Sequence, residues 1–454
     1  MRVKNQTREF WRCPLVDNSL IRVLDLRKEN LSLERVNYLL PRASLDISAA
    51  VLEIIPLLNE IKTKGSNPLV EITKKLDGVD PRPLQVTKAE LDDALANLSE
   101  CLKASIQESI DRVRKVSMAS MPNGFEVSLG NGATVSQRFQ PVDSVGLYVP
   151  GGKAVYPSSV IMNVVPAQVA GVSQLYLASP AQKEFGGRPH PTVLATAALL
   201  GVENVYCMGG PAAIAAFAYG LDDVDLPPVA MVTGPGNIYV AAAKRALRGV
   251  IGIDSEAGTT EIMIIADDSA NPIFVAADLI SQAEHDEAAA VVLVTDSSEL
   301  IQKVHLEITK QLVHTKHRDR ASKALSGQQS AMVLVSDLEE AIFVANCYAT
   351  EHLEIQTGKN EKVLEGISNA GAIFMGDYSP VSLGDYIAGS NHVLPTGGQA
   401  RFGGGLGVLT FLRPQQVVSY SLEGLKDVEK KAVNFAEAED LPAHGVAISK
   451  RFTD

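Results

Sequence analysis

The spacing of apolar residues changes twice along this chain, and each change predicts a different kind of element. From about residue 31 to 120 apolar positions recur at helical intervals, as in 49–55 (AAVLEII) and 90–95 (ELDDAL), so this part reads as a helical lead-in. Residues 125–129 (FEVSL) and 133–136 (ATVS) then alternate around Asn131-Gly132, a hairpin signal. From Val145 onward short apolar runs alternate with amphipathic stretches: 146–149 (GLYV), 174–177 (QLYL) and 204–207 (NVYC). A second such series begins at 261–265 (EIMII) and continues through 291–294 (VVLV), 332–335 (MVLV) and 372–375 (AIFM). After Tyr386 the chain becomes glycine-rich, and it finishes with a helical stretch from about 422 to 438 and a short tail.

Strands alternating with helices predict parallel sheets. The expected fold class is α/β, with two Rossmann-like parallel-sheet domains, a helical N-terminal lead-in and a small C-terminal appendage. The expected division is an N-terminal segment 1–44, a first α/β domain from 45–147 with 262–405, a second from 148–261, and a C-terminal tail 406–454. Two such sheets would leave a cleft between them, where small ligands bind.

Length and composition narrow the function. At 454 residues the chain exceeds what one core serves. Its longest apolar runs fall far short of the roughly 18 residues that a membrane helix needs, so no membrane partner is expected. The start, MRVKN, is not followed by an apolar stretch, which predicts a cytoplasmic protein rather than a secreted one. Cys13, Cys101, Cys207 and Cys347 are far apart with no CxxC pair, arguing for reduced thiols and against a thiolate zinc site. The net charge of −12 disfavours nucleic acid and leaves a small molecule as the expected ligand.

Several segments could carry chemistry. Gln282 and His285 lie three apart in SQAEHD, hence on one helix face, where an amide oxygen and an imidazole nitrogen could share a divalent metal. Read alone, the pair is equally a polar helix end. Glu351 and His352 sit side by side where a helix gives way to a strand, and a carboxylate beside an imidazole suits proton removal from an alcohol. A surface pair is the plainer alternative. The stretch after residue 375 offers Asp385 as a hard oxygen ligand and His392 as a ligand contact, although structural turns would use the same residues. Glu439 and His444 supply one more carboxylate and imidazole near the end, in what could be a solvated tail. His305, His314 and His317 read as a solvated helical face and His190 as a loop residue.

No GxGxxG opens a βα turn, so the usual dinucleotide fingerprint is missing. Tyr148-Val149-Pro150-Gly151-Gly152 and Gly234-Pro235-Gly236-Asn237 each follow an apolar run and precede a helix. Small residues at such turns let phosphate approach a helix N-terminus, though plain strand-to-helix connections look the same.

Read together and in order, YVPGG at Tyr148, GPGN at Gly234, AGTTE at Ala257, SQAEHD at Ser281, EHLE at Glu351, SLGDY at Ser382, GSNHVLPTGG at Gly389 and AH at Ala443 closely resemble the histidinol dehydrogenase family, from about residue 49 to the C-terminus. The resemblance implies NAD-dependent oxidation of L-histidinol through L-histidinal to L-histidine, the last step of histidine biosynthesis. It implies a homodimer whose zinc is held by Gln282, His285 and Asp385 of one subunit and by His444 of the other, on a C-terminal segment that reaches across. It further implies that His352 is the general base and Glu351 activates water. Thr260, His392 and Glu439 would contact substrate together with the metal ligands and His352, while Tyr148 and Asn237 would contact NAD.

Three positions depart from the family pattern. Ala212 stands where glutamine is common at an NAD contact, Thr260 replaces serine but keeps the hydroxyl, and Val381 occupies a place often held by glutamate. A related dehydrogenase acting on another polar alcohol is one alternative; intact His392 and Glu439 weigh against it. A non-catalytic zinc-binding homologue is the other, and intact Glu351 and His352 weigh against that.

Overall fold

The computed structural model describes residues 20–42, 47–152, 154–256 and 258–452. Cys13, Ala257 and residues 1–19, 43 and 44 of the predicted N-terminal segment lie outside them. The strands are β1 (Val23–Asp25), the hairpin β2 (Phe125–Gly130) and β3 (Ala133–Pro141), then β4 (Ser144–Tyr148), β5 (Gln174–Ser179), β6 (Asn204–Cys207), β7 (Met231–Thr233) and β8 (Gly252–Ile253). They continue as β9 (Glu261–Ala266), β10 (Ala290–Thr295), β11 (Ala331–Leu334), β12 (His352–Gln356), β13 (Ala372–Met375) and β14 (Leu412–Tyr420).

Two parallel sheets carry the fold. One has the order β6-β5-β4-β7-β8; the other has β1-β11-β10-β9-β12-β13. Apart from the added β1, both follow one rule: the first three strands step outward one way, and the last two start again on the opposite side of the first. Each sheet therefore has a switch point, between β4 and β7 in one and between β9 and β12 in the other. Strands β9 and β10 are buried along their whole length, as continuous apolar runs in a sheet covered on both faces must be.

The helical lead-in forms as its spacing predicts, but its packing differs from the division drawn from sequence. In the helix Ile47–Lys64, Ala50, Ile54, Leu58 and Ile61 make one buried stripe. That stripe packs on the alanine-rich helices Gly210–Tyr219 and Ile238–Leu247 of the five-stranded unit. Ile106, Ile110 and Val113 of the helix Glu100–Ala119 join the other core of the same unit, with Val160, Val164 and Val165. Small alanine faces allow close helix approach, which draws 47–119 to this sheet rather than to 262–405. Strand β4 also lies at the centre of this unit, so its sheet begins before residue 148.

The hairpin turns at Asn131 and Gly132, both at positive φ, as predicted. β14 adds to it antiparallel, a strand not anticipated in the C-terminal tail. The helices Leu422–Ala438 and Pro442–Ser449 follow and pack on each other. Among the described residues no helix is long and apolar enough to cross a membrane.

Candidate active site

The two switch points set the geometry. Tyr148 and Gly234 lie at the carboxyl ends of β4 and β7, whereas Glu261 and His352 open β9 and β12 at their amino ends. Helices that follow β9 and β13 run back along the six-stranded sheet and bring Gln282 and Asp385 to that same amino edge. Ligands of open parallel sheets more often sit at carboxyl ends. Asp385 accordingly belongs to a short helix, Val381–Tyr386, and not to the loop after the strand as the sequence suggested.

Glu351 and His352 are held by local backbone. The helix Leu338–Tyr348 stops at Ala349, whose φ of 52° turns the chain sharply while its N–H still reaches Ala345 O at 2.7 Å. Both residues are buried, 6% and 5% exposed. Glu351 Oε2 accepts from Thr260 Oγ1 at 2.5 Å and from the Glu261 N–H at 2.9 Å. Burial outweighs those donors and lifts the Glu351 carboxyl to about 8. His352 Nδ1 lies 3.1 Å from the Glu261 carbonyl oxygen and 3.4 Å from Glu351 Oε2. A carbonyl only accepts, so Nδ1 carries the proton and Nε2 keeps its lone pair. Burial also lowers the imidazole below its ordinary range, which keeps it neutral at pH 7.

Gln282 is 1% exposed. Its amide nitrogen donates to Thr260 Oγ1, and its Oε1 is buried with no hydrogen-bond partner. His285 Nε2 faces Asp385 Oδ2 at 3.8 Å. His392 Nδ1 contacts the Asp385 carbonyl at 3.1 Å, leaving Nε2 to accept from Ser159 Oγ at 3.2 Å. Ser159 lies in the first turn of the helix Pro157–Ala170 after β4, so this contact spans the two sheet units.

Gln282 Oε1, buried without a partner, and the His285 imidazole facing the Asp385 carboxylate are donors able to hold a divalent metal; imidazole and carboxylate are ordinary zinc ligands, and an amide oxygen is an unusual one. Three donors are one short of a tetrahedral shell. No three His, Cys, Asp or Glu side chains come together as a metal cage among the described residues. Glu439 and His444 are exposed on the C-terminal helical arm, where the helix Pro442–Ser449 packs on Leu422–Ala438.

Tyr148 is buried, and its hydroxyl accepts from the Gly210 N–H at 3.0 Å. Asn237 is exposed and caps the helix Ile238–Leu247 through Tyr239 N and Val240 N. Gly234, at φ 117°, passes so close to Tyr148 O that an added Cβ would sit 2.0 Å from it. Ala212 is buried at 2% exposure within the apolar core.

Sequence reasoning missed three supporting groups. Lys244 is buried and binds Asp254 Oδ1 at 2.5 Å as well as Gly234 O, while Asp254 Oδ2 accepts from Gly234 N at 2.8 Å; this ion pair pins the glycine turn. A lysine on the buried stripe Val240, Lys244, Leu247 was the available signal. Arg42 meets Glu261 at 2.6 Å. Asp278 and Glu354, both buried, share the Gln356 amide at 3.2 and 3.0 Å, and Glu354 also accepts from the Val381 N–H at 2.8 Å.

The family signature described as histidinol dehydrogenase matches residues 40–452. A histidinol dehydrogenase of Leifsonia xyli subsp. xyli is 52% identical over 434 residues, covering 96% of this chain and 100% of the relative. One of Thermobifida fusca is 54% identical over 412 residues, covering 91% and 94%. The crystal structure of histidinol dehydrogenase from Elizabethkingia anophelis superposes with a TM-score of 0.89 at 32% identity, covering 96% of this chain and 99% of that one. Sequence, architecture and the match along nearly the whole chain agree: this protein is an oxidoreductase that belongs to the histidinol dehydrogenase family.

Proposed function

We propose that the chain oxidises L-histidinol to L-histidine through L-histidinal, closing histidine biosynthesis as a cytoplasmic, zinc-dependent, NAD-linked homodimer. One observation carries the reading: a hydrogen-bonded relay, Gln282 to Thr260 to Glu351, ties a buried donor with a free oxygen to a buried carboxyl beside a neutral histidine.

Zinc would be held by Gln282, His285, Asp385 and His444 of the partner subunit, and when bound supplies a Lewis acid that orients the amino and imidazole nitrogens of the substrate. Tyr148 and Asn237 would meet NAD, which supplies the hydride acceptor, at the helix N-termini clustered beyond β4 and β7. Thr260, His392 and Glu439 of the partner subunit would contact substrate.

In the first step His352 Nε2 takes the hydroxyl proton as the carbinol carbon gives up hydride, leaving the aldehyde. Water then adds to the aldehyde. Glu351 takes one proton of the adding water, the hydrated carbon gives up a second hydride, and the carboxylic acid so formed releases its remaining proton to solvent as the carboxylate. A carboxyl lifted to about 8 is a far stronger base than an ordinary glutamate. Burial of both groups keeps bulk water off the intermediate aldehyde.

The dimer is supported by the shortage of donors and by the exposed arm. Phe435, Leu441 and Val446 on that arm, and Phe125, Leu129 and Val418 on the small sheet, are large apolar side chains open to solvent in one chain. The test is NADH absorbance with L-histidinol, with other polar alcohols as controls, before and after chelation. Two NADH per histidinol, lost on chelation and restored by zinc, is the expected result. Faster turnover of another alcohol, or indifference to chelator, overturns the reading.

A further inference from the structure

Glu261 is the first residue of β9 and uses its main chain in an unusual way. Its N–H goes to the Glu351 carboxylate and its C=O to His352 Nδ1. β9 and β12 begin their register at Ile262 and His352, so these two Glu261 groups lie at the end of the ladder and take side-chain partners. The two groups belong to the peptides on either side of the Glu261 Cα, so a displacement of this one residue moves the contacts of both Glu351 and His352.

The Glu261 side chain is buried and makes its contacts with a different set of residues. Oε1 accepts from Arg42 Nε at 2.6 Å and from the Gly397 N–H at 3.3 Å, while Oε2 has no partner. Arg42 also donates to the Tyr348 carbonyl and lies over the Tyr348 ring, 4.1 Å from its centroid. Arg401 donates to the Cys347 carbonyl. Two guanidinium groups thus hold the last carbonyls of the helix Leu338–Tyr348, where the dipole favours cations. The chain turns at Ala349 and reaches Glu351 three residues after Tyr348.

We infer that Arg42 is a positioning residue for the reaction: one guanidinium ties Glu261, whose backbone holds both reacting side chains, to the helix end that delivers them. This rests on the reading above that Glu351 and His352 perform the proton transfers. A lysine would keep the charge but lose both the planar stack on Tyr348 and the fork that serves two acceptors. Arg42 comes from a segment 219 residues distant in sequence, which no local motif around Glu351 reveals.

Arg42 lines an open cavity of about 1390 Å³ together with Thr259, Glu261, Thr396 and Gly397, so a small cation can reach its place. The test uses the full-length zinc-loaded enzyme. Arg42→Ala is expected to lower kcat by about 10- to 100-fold on both histidinol and histidinal, the scale of a misplacement near 1 Å. KM and zinc content should stay near wild type, and millimolar guanidinium should restore most of the lost kcat. Arg42→Lys should fall between. Wild-type kcat in Arg42→Ala overturns the inference, as does a loss that tracks a smaller zinc-loaded fraction and is not rescued by guanidinium. His352→Asn is assayed alongside: if it turns over like wild type, the underlying reading fails, and a deficient His352→Asn with a normal Arg42→Ala rejects the Arg42 role alone.

Discussion

Gln282 donates its amide N–H to the Thr260 hydroxyl, and this contact decides which end of the amide is left free. The same hydroxyl donates onward to Glu351, so it cannot be reversed without losing one partner. Thr260→Ser keeps the hydroxyl and should keep both contacts. Thr260→Val should weaken zinc binding by about 1–2 kcal/mol, because the amide no longer has a fixed orientation. Competition with a chromogenic chelator measures this; equal zinc affinity in the serine and valine variants refutes the relay.

Glu351 and His352 touch each other, yet their chemistry should separate. His352→Asn should slow both oxidations by about two to four orders of magnitude, the usual loss of a general base. Glu351→Gln should spare alcohol oxidation more than oxidation of supplied histidinal, since the amide cannot accept a proton from water. Stopped-flow NADH traces on each substrate decide it. Equal losses on both would remove water activation from Glu351.

His444 is exposed on the C-terminal arm, and in the proposed dimer it completes the partner's site. His444→Asn should therefore lose bound zinc or activity, and hybrids with His352→Asn should regain part of the activity, because one of the two sites would hold neither substitution. The check is activity after verified subunit exchange, and its absence would favour a site made within one chain.

Asp278 and Glu354 crowd one amide, and burial raises both, Asp278 to about 6 and Glu354 well above its ordinary value. A carboxyl with a raised folded pKa contributes stability that is complete below its unfolded pKa, near 4. That contribution is lost as pH rises through the folded value. Glu354→Gln keeps an acceptor for the Val381 N–H and removes the charge, so it should be more stable than wild type at pH 8. The advantage should vanish at pH 4. Thermal melts at both pH values test the sign, and a variant less stable at pH 8 contradicts it.

Gly234→Ala meets two obstacles: a backbone at φ 117° and the Tyr148 carbonyl in the space of its Cβ. We expect KM for NAD to rise and stability to fall by about 1–3 kcal/mol. Gly152→Ala has open space and only the φ cost, and should be milder. The reverse ranking in parallel melts and NAD titrations would show that the β4–β7 approach is not what requires glycine.

The α/β class, the hairpin and the alternation of strands were legible in the sequence because period-two and period-3.6 patterns are local properties of the chain. The order of motifs also pointed to the family. Strands β1 and β14 were not legible: β1 has only three residues, and most of β14 is solvent-exposed, so neither leaves a strong burial pattern.

What the sequence determined by itself was which residue types are available: Gln282 three before His285, and Glu351 beside His352 at a helix-to-strand junction; the helix expected to carry both Gln282 and His285 ends at Ala283, and His285 lies in the turn after it. It could not say which of them meet. Only the tertiary structure decided that the helices after β9 and β13 run back to the amino edge, that Thr260 links Gln282 to Glu351, and that Arg42 braces Glu261. The reason is physical. Periodicity records which side of an element avoids water, whereas a hydrogen bond between residues 91 or 219 positions apart depends on how whole elements pack, a property no short window of sequence contains.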